Sequence, residues 1–384
     1  MSKLFLPSAS QLDTMNEHLK AIATALAMDL DVGMDISTWE GIQRAVRLGV
    51  APYLIPVGTQ LEVNHSVYGT HRYGVVAHNY FKSAHDKNAH TMTLMCHDII
   101  ARVQFDAPEA FYYADTTLPK GTYNFTLSSN YSSWEAGTYQ FTLWEDVPAG
   151  GQLVISGQSN APLTSMVVKS YGGKGWAEPI ESSPIYKDAN GTSLGTLGVE
   201  LNHVQRVSYG SNNYKESAIR QFLNSSASPG RVWTPQTKFD RPPSWSTGET
   251  GIAGFMMGLD EDFLSVVGEV VVPCAANNTY ESPDSTIIKG GKYTITDKFY
   301  LASQKEIFGN NSDSVADDSV LFPYYGSADA TDRIKYREGT MGNWWTRTPY
   351  SWSGGGVLSV NSTGTLNSDF ALYNSGCSPV CNIV

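Results

Sequence analysis

Charged residues are scarce in this sequence, and basic ones especially so. Asp, Glu, Lys and Arg make up 16% of the 384 residues, against roughly 25% in a typical soluble domain. The net charge is -11, and an acidic chain is poorly suited to bind nucleic acid or an anionic membrane. No apolar run approaches the roughly 20 residues that a membrane helix needs. We therefore expect no nucleic-acid partner and no membrane insertion.

Cysteine is also rare. The four cysteines are Cys96, Cys274, Cys377 and Cys381, and no two of them form a Cys-x-x-Cys pair. This spacing favours buried free thiols, with a zinc site or a disulfide framework as the alternatives.

Metal-binding motifs are missing as well. Six of the eight histidines lie between residues 65 and 97, at intervals of 5 to 7 residues, and this spacing matches no common metal motif. No Asp-x-Asp-x-Asp calcium loop occurs, although a calcium site built from the carboxylates of distant loops stays an alternative. We expect no metal and no cofactor.

Two common catalytic motifs, the P-loop and His-Glu-x-x-His, are absent. The string that comes nearest to a phosphate-binding loop is Lys-Gly-Gly-Lys at residues 289–292. It lacks both the upstream glycine and the Ser or Thr after the lysine, so it predicts the tip of a hairpin. We find no argument for a nucleophile and base, and we expect no catalytic residues and no enzyme.

Glycine and aromatic residues, in contrast, are plentiful. The chain holds 35 glycines and 21 tyrosines, 11% of its residues are aromatic, and 41% are hydrophobic. These values indicate a folded chain that is rich in strands and loops, of the α+β class. A length of 384 residues predicts two or three domains.

The first 52 residues carry helical patterns. Five apolar residues recur at intervals of three and four within residues 11–29: Leu12, Met15, Leu19, Ile22 and Leu26. They predict the seam of a short coiled coil, with an amphipathic helix packed on its own domain as the alternative. A capping box, Ser37-x-x-Glu40, predicts a second helix that ends before Pro52. We assign residues 1–52 to a helical oligomerisation or attachment segment.

Strand patterns follow this segment. Residues 54–58, 73–76 and 91–95 are the first strand candidates. Further on, GTYNFTL at 121–127 recurs as GTYQFTL at 137–143, and each alternates aromatic with small polar residues. We predict two strands of one sheet, within a small antiparallel sandwich.

Two helix starts stand out in the second half of the chain. Asn213-x-x-Glu216 precedes an apolar face that predicts a helix to Leu223, and Ser303-x-x-Glu306 is a capping box for another short helix.

The stretch from Asn343 to Val384 differs in composition from the rest. Only Arg347 and Asp369 are charged, whereas Trp, Tyr, Ser and Asn are frequent. Rigid aromatic anchors beside short polar side chains are typical of adaptable recognition surfaces. We predict that this stretch binds a ligand.

Several strings in the chain resemble one family. C-type-lectin-fold proteins of tailed phages and prophages are similar to YGSNNYKESAIRQFLNS (209–225), TPQTKFDRPPSW (234–245), FYLASQKEIFG (299–309) and the ending NWWTRTPY…CSPVCNIV. HTMTLMCHDII (90–100) and FDAPEAFYYA (105–114) extend the likeness over most of the chain. Many members of that family are targets of diversity-generating retroelements, in which error-prone reverse transcription rewrites selected codons near the C terminus.

The resemblance implies a C-type-lectin-like domain that is interrupted by an insertion. Residues 53–105 would form its first part, residues 106–199 an inserted antiparallel β-sandwich domain, and residues 200–384 the main part. The variable, ligand-binding face would consist of Tyr350, Ser351, Trp352, Ser353, Ser359, Asn361, Asn367, Asp369, Phe370, Leu372, Tyr373 and Asn374. The scaffold beneath it would consist of Trp344, Trp345, Val357, Val360, Pro379 and Ile383.

The function that the resemblance implies is that of a tail-associated receptor-binding or adhesion protein. It would act as a homotrimer, with a host cell-surface protein or glycan and other tail or virion proteins as partners, and multivalency would raise its avidity. No secretory signal is visible, which is expected of a virion protein made in the bacterial cytoplasm. A structural virion protein without its own ligand, such as a decoration, baseplate or fibre component, is the alternative. A bacterial surface adhesin ranks last, because it would need an export signal or anchor.

Overall fold

The computed structural model describes residues 35–127, 137–143, 145–156, 167–171, 176–179, 195–196, 204–246, 251–276, 291–311, 317–351 and 353–384. The coiled-coil helix expected at residues 11–29, with Leu12, Met15, Leu19, Ile22 and Leu26, lies outside these ranges. Strands outnumber helices in the described part and pair mainly antiparallel, so the expected β-rich class is confirmed. Within the same ranges, every helix falls short of the length and apolar character that a membrane span requires.

The helices of the described ranges are short. They are α1 (Trp39–Arg47), α2 (Ala51–Leu54), α3 (Val204–Tyr209), α4 (Ala218–Leu223), α5 (Glu261–Val266) and α6 (Gln304–Phe308). Single 3₁₀ turns lie at Tyr214–Glu216, Ser244–Ser246, Pro323–Tyr325 and Thr331–Arg333.

The strands fall into three groups along the chain. The first group is β1 (Gln60–Val63), β2 (His71–His78), β3 (Lys82–Ser83), β4 (Met92–Cys96) and β5 (Ala101–Gln104). The second is β6 (Tyr112–Tyr113), β7 (Gly121–Leu127), β8 (Gly137–Leu143), β9 (Gln152–Ser156), β10 (Val167–Tyr171), β11 (Trp176–Pro179) and β12 (Gly195–Thr196). The third is β13 (Val267–Gly268), β14 (Val270–Ala276), β15 (Gly291–Asp297), β16 (Phe299–Tyr300), β17 (Lys335–Arg337), β18 (Thr340–Gly342), β19 (Trp344–Pro349), β20 (Gly356–Val360), β21 (Leu366–Phe370), β22 (Asn374–Cys377) and β23 (Val380–Ile383).

Two sheets join the first group of strands to the last. One has the order β1-β2-β4-β23-β13, with β16 also on β23; the other has the order β21-β20-β19-β22-β5. Strand β4 pairs antiparallel with β23, and β5 pairs antiparallel with β22. Residues before position 105 therefore share one core with the last residues of the chain, and apolar residues from both regions are buried together in it.

The second group of strands forms a sheet of its own, in the order β12-β7-β8-β11-β10-β9-β6. The repeated heptapeptides are neighbours in it, as predicted: β7 pairs antiparallel with β8, with Tyr123 opposite Phe141. The segment is fastened to the rest of the chain by backbone bonds such as that from the Ala110 amide to the Phe239 carbonyl, 2.8 Å. That this segment is a two-layered sandwich, and that the domain boundaries lie at residues 52, 105 and 199, stay predictions.

Helix α1 begins one residue later than the sequence pattern predicted. The N-cap is Thr38, whose hydroxyl accepts a bond from the Gly41 amide at 3.1 Å. Ser37 is not the cap because its amide donates to the Asp35 carboxylate at 2.9 Å, which places it in a turn. Pro52 does not simply end the helical segment: it lies in the first turn of α2, where its missing N–H costs nothing.

Three further predictions had different outcomes. The strand expected at residues 54–58 is wrong, since α2 extends to Leu54 and a turn follows. The cap expected at Asn213 is also wrong, because Ser217 caps α4 by accepting from the Arg220 amide at 3.3 Å. The capping box at the start of α6 is confirmed, with both of its reciprocal bonds present. Half of the expected hairpin tip at residues 289–292 lies outside the described residues, and Gly291 and Lys292 begin β15.

Candidate ligand-binding site

The frame of the C-terminal region is a pair of tryptophans and a buried arginine on β19. The indole N–H groups of Trp344 and Trp345 each donate to a backbone carbonyl at 3.0 Å, and both rings are fully buried. The Arg347 guanidinium makes two bonds to the Glu306 carboxylate, of 2.7 and 2.6 Å. Such bidentate pairs add geometric precision to a site. The residues expected as scaffold are all buried in the structure.

The loop between β19 and β20 is fastened to the residues around α3. Asn212 Nδ2 donates to the carbonyls of Ser353 and Gly356 at 2.7 and 2.8 Å. The Gln205 side-chain oxygen accepts a bond from Ser353 Oγ at 2.8 Å. The contact is so close that a Cβ on Gly355 would lie 2.5 Å from Tyr209 Cβ. The loop is therefore held in one position by side chains far away in sequence.

A pocket of about 390 Å³ opens between this loop and β21. It is lined by Tyr350, Ser353, Gly356, Ser368, Asp369, Phe370 and Tyr373. The Phe370 ring stacks on the Tyr209 ring with a centroid distance of 3.7 Å. The Phe370 and Tyr373 rings meet edge to face, with their centroids 6.0 Å apart. Tyr373 is 40% exposed. The pocket thus combines aromatic rings on a supported wall with small hydroxyl groups.

Asp369 lines the pocket, but its carboxylate is engaged elsewhere. Ser359 Oγ and Asn367 Nδ2 each lie 3.4 Å from Asp369 Oδ2. Because side chains alternate along a strand, Asp369 and Asn367 share one face of β21 and Phe370 points to the other. Burial raises the pKa of Asp369 above its ordinary value. In the described part of the chain no basic side chain forms an ion pair with it.

Residues 190–384 match a family described as a domain of unknown function, DUF6273. The chain belongs to the DUF6273 family. Every residue that lines the pocket lies in the DUF6273 region. Strands β4 and β5, which pair with β23 and β22 of that region, precede the region in the chain. No curated protein and no solved structure matches the chain.

Of the twelve residues expected on the ligand-binding face of the DUF6273 region, five line the pocket: Tyr350, Ser353, Asp369, Phe370 and Tyr373. Ser351, Leu372 and Asn374 are partly or fully exposed beside it. Trp352 lies outside the described residues.

Three of the expected residues are placed away from the pocket. Ser359 is 0% exposed, since its strand is covered on both faces, so the expectation that it is accessible to a ligand is wrong. Asn361 lies beyond the end of β20 that is far from the pocket, at about 16 Å if the strand rises roughly 3.3 Å per residue. Its side-chain oxygen accepts hydrogen bonds from the backbone amides of Thr363 and Thr365 and so closes the turn. Asn367 is half-buried on the Asp369 face.

Sequence reasoning missed Ser368, Gly356 and Tyr209. Ser368 lies on the same face of β21 as Phe370, which a correct strand register would have indicated. No local signal indicates that Tyr209 stacks on Phe370, because that contact depends on how α3 packs in the DUF6273 fold.

One group of possible metal ligands occurs in the described residues, outside the DUF6273 region. His71, Cys96 and Asp98 place one ligand atom each within 4.8 Å of one another. Asp98 is already paired with Arg72 at 3.2 Å, and the buried Lys335 ammonium donates to the Cys96 carbonyl. Burial raises the pKa of the Cys96 thiol to about 12. Two neighbouring cations and a protonated thiol oppose a metal ion here, so we interpret the group as an ion-pair network.

The cysteines of the chain behave as the sequence indicated. Cys96, Cys274, Cys377 and Cys381 are all free and buried. Burial raises the pKa of each thiol, so the cysteines pack as small apolar residues.

Proposed function

We propose that this chain is a receptor-binding or adhesion protein of a tailed phage or prophage, which recognises a host cell-surface ligand through the pocket at Tyr350, Phe370 and Tyr373. In this proposal residues 53–105 and 200–384 form a C-type-lectin-like domain. The chain acts as a homotrimer on the virion, and the codons for its exposed C-terminal residues are targets of retroelement diversification. It is not an enzyme.

The observation that supports the proposal best is the contrast between frame and pocket. Strand β19, in the same sheet as β21, carries two buried tryptophans and the arginine of a bidentate ion pair between Arg347 and Glu306. At the pocket itself, partly exposed aromatic rings and hydroxyl groups cluster on loops and an edge strand. Exposed side chains at the pocket, such as Tyr373, can therefore change without disturbing the fold, which is what a recognition surface on a fixed scaffold requires.

The test is binding of the labelled full chain to cells of the bacterium whose genome carries the gene. Tyr373→Ala should abolish cell binding while leaving the melting temperature and oligomeric state unchanged. Tyr53→Ala is the matched control, because Tyr53 is similarly exposed (47%) but lies on α2, outside the pocket. If both variants bind like the wild type, the pocket is not the receptor site. If Tyr373→Ala instead blocks particle assembly, the structural-virion alternative is favoured.

A further inference from the structure

The pocket lining carries no basic side chain among the described residues. Its lining consists of aromatic rings, hydroxyl groups, a glycine and Asp369. The only other charged residue of the C-terminal stretch, Arg347, is fully buried against Glu306. An anionic ligand would therefore meet no counter-charge, and burying an unpaired charge is costly.

A cationic ligand is also disfavoured. Aromatic rings can hold a cation, and a carboxylate that faced the same space would add a Coulomb attraction. The Asp369 carboxylate lies with Ser359 and Asn367, on the face of β21 opposite to Phe370. The ligand that the lining suits best is therefore uncharged.

The size and shape of the pocket indicate a small unit rather than a flat protein epitope. Its volume of about 390 Å³ falls in the range of roughly 300–1,000 Å³ that is typical of small-molecule sites. A stable protein–protein contact buries about 800 Å² on each partner and is anchored by Trp, Tyr or Arg residues. A concave site of this size fits a small ligand better than a protein surface.

Two kinds of surface meet in the pocket. The Phe370 ring is supported from behind by Tyr209 at 3.7 Å, and the exposed Tyr373 ring stands at its edge. Such rings offer apolar area at a low entropic cost. Ser368 and Tyr373 bring hydroxyl groups that can both donate and accept hydrogen bonds, whereas Ser353 Oγ already donates to Gln205.

We propose that the pocket binds a neutral hexose-type sugar unit, with its C–H face against Phe370 and Tyr373 and its hydroxyl groups bonded to the hydroxyls of Ser368 and Tyr373. This inference rests on the proposed function, since it makes the host ligand a glycan. A ring with one apolar face and a rim of hydroxyl groups matches the two kinds of surface that the pocket presents.

The direct test is a glycan array that carries neutral, anionic and amine-bearing glycans, probed with the full chain. We expect binding to neutral glycans that share one terminal hexose. Tyr373→Ala should weaken that binding about tenfold or more, and Tyr53→Ala should bind like the wild type. Absence of binding, binding only to charged glycans, or undiminished binding by Tyr373→Ala would each overturn the inference.

A second experiment separates this inference from the proposed function. Host cells are treated either with periodate, which cleaves vicinal diols of sugars, or with proteinase K, and binding of the chain is then measured. Loss after periodate alone supports the glycan. Loss after protease alone overturns the glycan inference but leaves the receptor-binding function standing. If untreated cells are not bound while the array shows a neutral hexose, the sugar site stands and the host-receptor role fails.

Discussion

The ring of Phe370 lies parallel to that of Tyr209, with the two centroids 3.7 Å apart and the planes 6° from parallel. Phe370 ends β21, and Tyr209 ends α3. The two residues come from distant parts of the chain: Phe370 lines the pocket, and the buried Tyr209 supports it from behind. This stack couples the position of β21 to that of α3.

The first prediction follows from that stack. Tyr209→Leu should lower the free energy of unfolding by about 2–4 kcal/mol, because Tyr209 is 1% exposed, and should weaken cell binding at least tenfold, because Phe370 loses its support. Tyr209→Phe keeps the ring and should bind nearly like the wild type. Urea unfolding and a cell-binding assay measure both effects. Normal binding by Tyr209→Leu would show that the stack does not shape the site.

The second prediction concerns the close approach of Gly355 to Tyr209. An added methyl group in Gly355→Ala would lie 2.5 Å from Tyr209 Cβ, so one of the two segments must move. We expect a loss of about 1–3 kcal/mol in stability and a larger loss of ligand binding.

A matched control for this substitution is Gly326→Ala. The nearest atom to its added Cβ is the Pro323 carbonyl oxygen, at 3.3 Å, in a segment away from the pocket. Equal effects of the two substitutions on binding would refute the packing argument.

The third prediction concerns the buried pair of Arg347 and Glu306. Both side chains are 0% exposed, so Arg347→Met leaves a carboxylate without its partner and should cost about 3–5 kcal/mol. Arg337→Met removes an arginine whose carboxylate partner, Glu338, is 3.6 Å away and largely exposed. That variant should change the stability by less than about 1 kcal/mol. Denaturant unfolding of the two variants and the wild type measures both stability changes, and equal losses for the two variants would contradict the prediction.

The fourth prediction concerns the effect of acid on stability. Burial lowers the pKa of His97 to about 4, with Lys335 and Arg72 adding to the effect and Asp98 opposing it. The unfolded chain, with an ordinary histidine pKa near 6.5, binds the proton first, so the folded state loses stability as the pH falls from about 6.5 to 4. The full loss is about 3 kcal/mol at ~1.4 kcal/mol per pH unit.

The control for this effect is His97→Gln, which cannot titrate. Urea unfolding between pH 7.5 and 4.5 should show a shallower pH dependence for this variant than for the wild type. Equal slopes would mean that other groups carry the acid sensitivity.

The fifth prediction concerns the gene. We expect a near-copy of the DNA that encodes residues 343–384 beside a reverse-transcriptase gene, with mismatches confined to template adenines. The mismatched codons should include those of Tyr350, Phe370 and Tyr373, and should exclude that of Ser359, which is buried. Sequencing the locus tests this. If no such repeat exists, the specificity of the pocket is constant.

Elements decided by local chemistry were predictable from the sequence. The box of Ser303 and Glu306 satisfies two amides within one turn, and the heptapeptides at residues 121–127 and 137–143 alternate as paired strands do. Such patterns depend on residues within a few positions of each other. The start of α1 was misplaced by one residue, because the Asp35 carboxylate competes for the Ser37 amide.

Features that depend on distant contacts were not predictable in detail. Ser359 was expected on the surface, but a neighbouring strand on each side and covered faces make it interior. The support of Phe370 by Tyr209 likewise leaves no trace in either local sequence. Five of the twelve expected site residues line the pocket. The resemblance to a family indicated the region of the chain, but the register of each strand decides which side chains face the pocket.

The pairing of β4 with β23 and of β5 with β22 bears on how the protein is made. On the ribosome, β4 and β5 emerge early and gain these partners only once residues 374–383 have been synthesised. Contacts that span so much of the sequence predict slow folding. Expression of residues 190–384 alone would leave β22 and β23 each without one neighbouring strand, and such open edges favour aggregation.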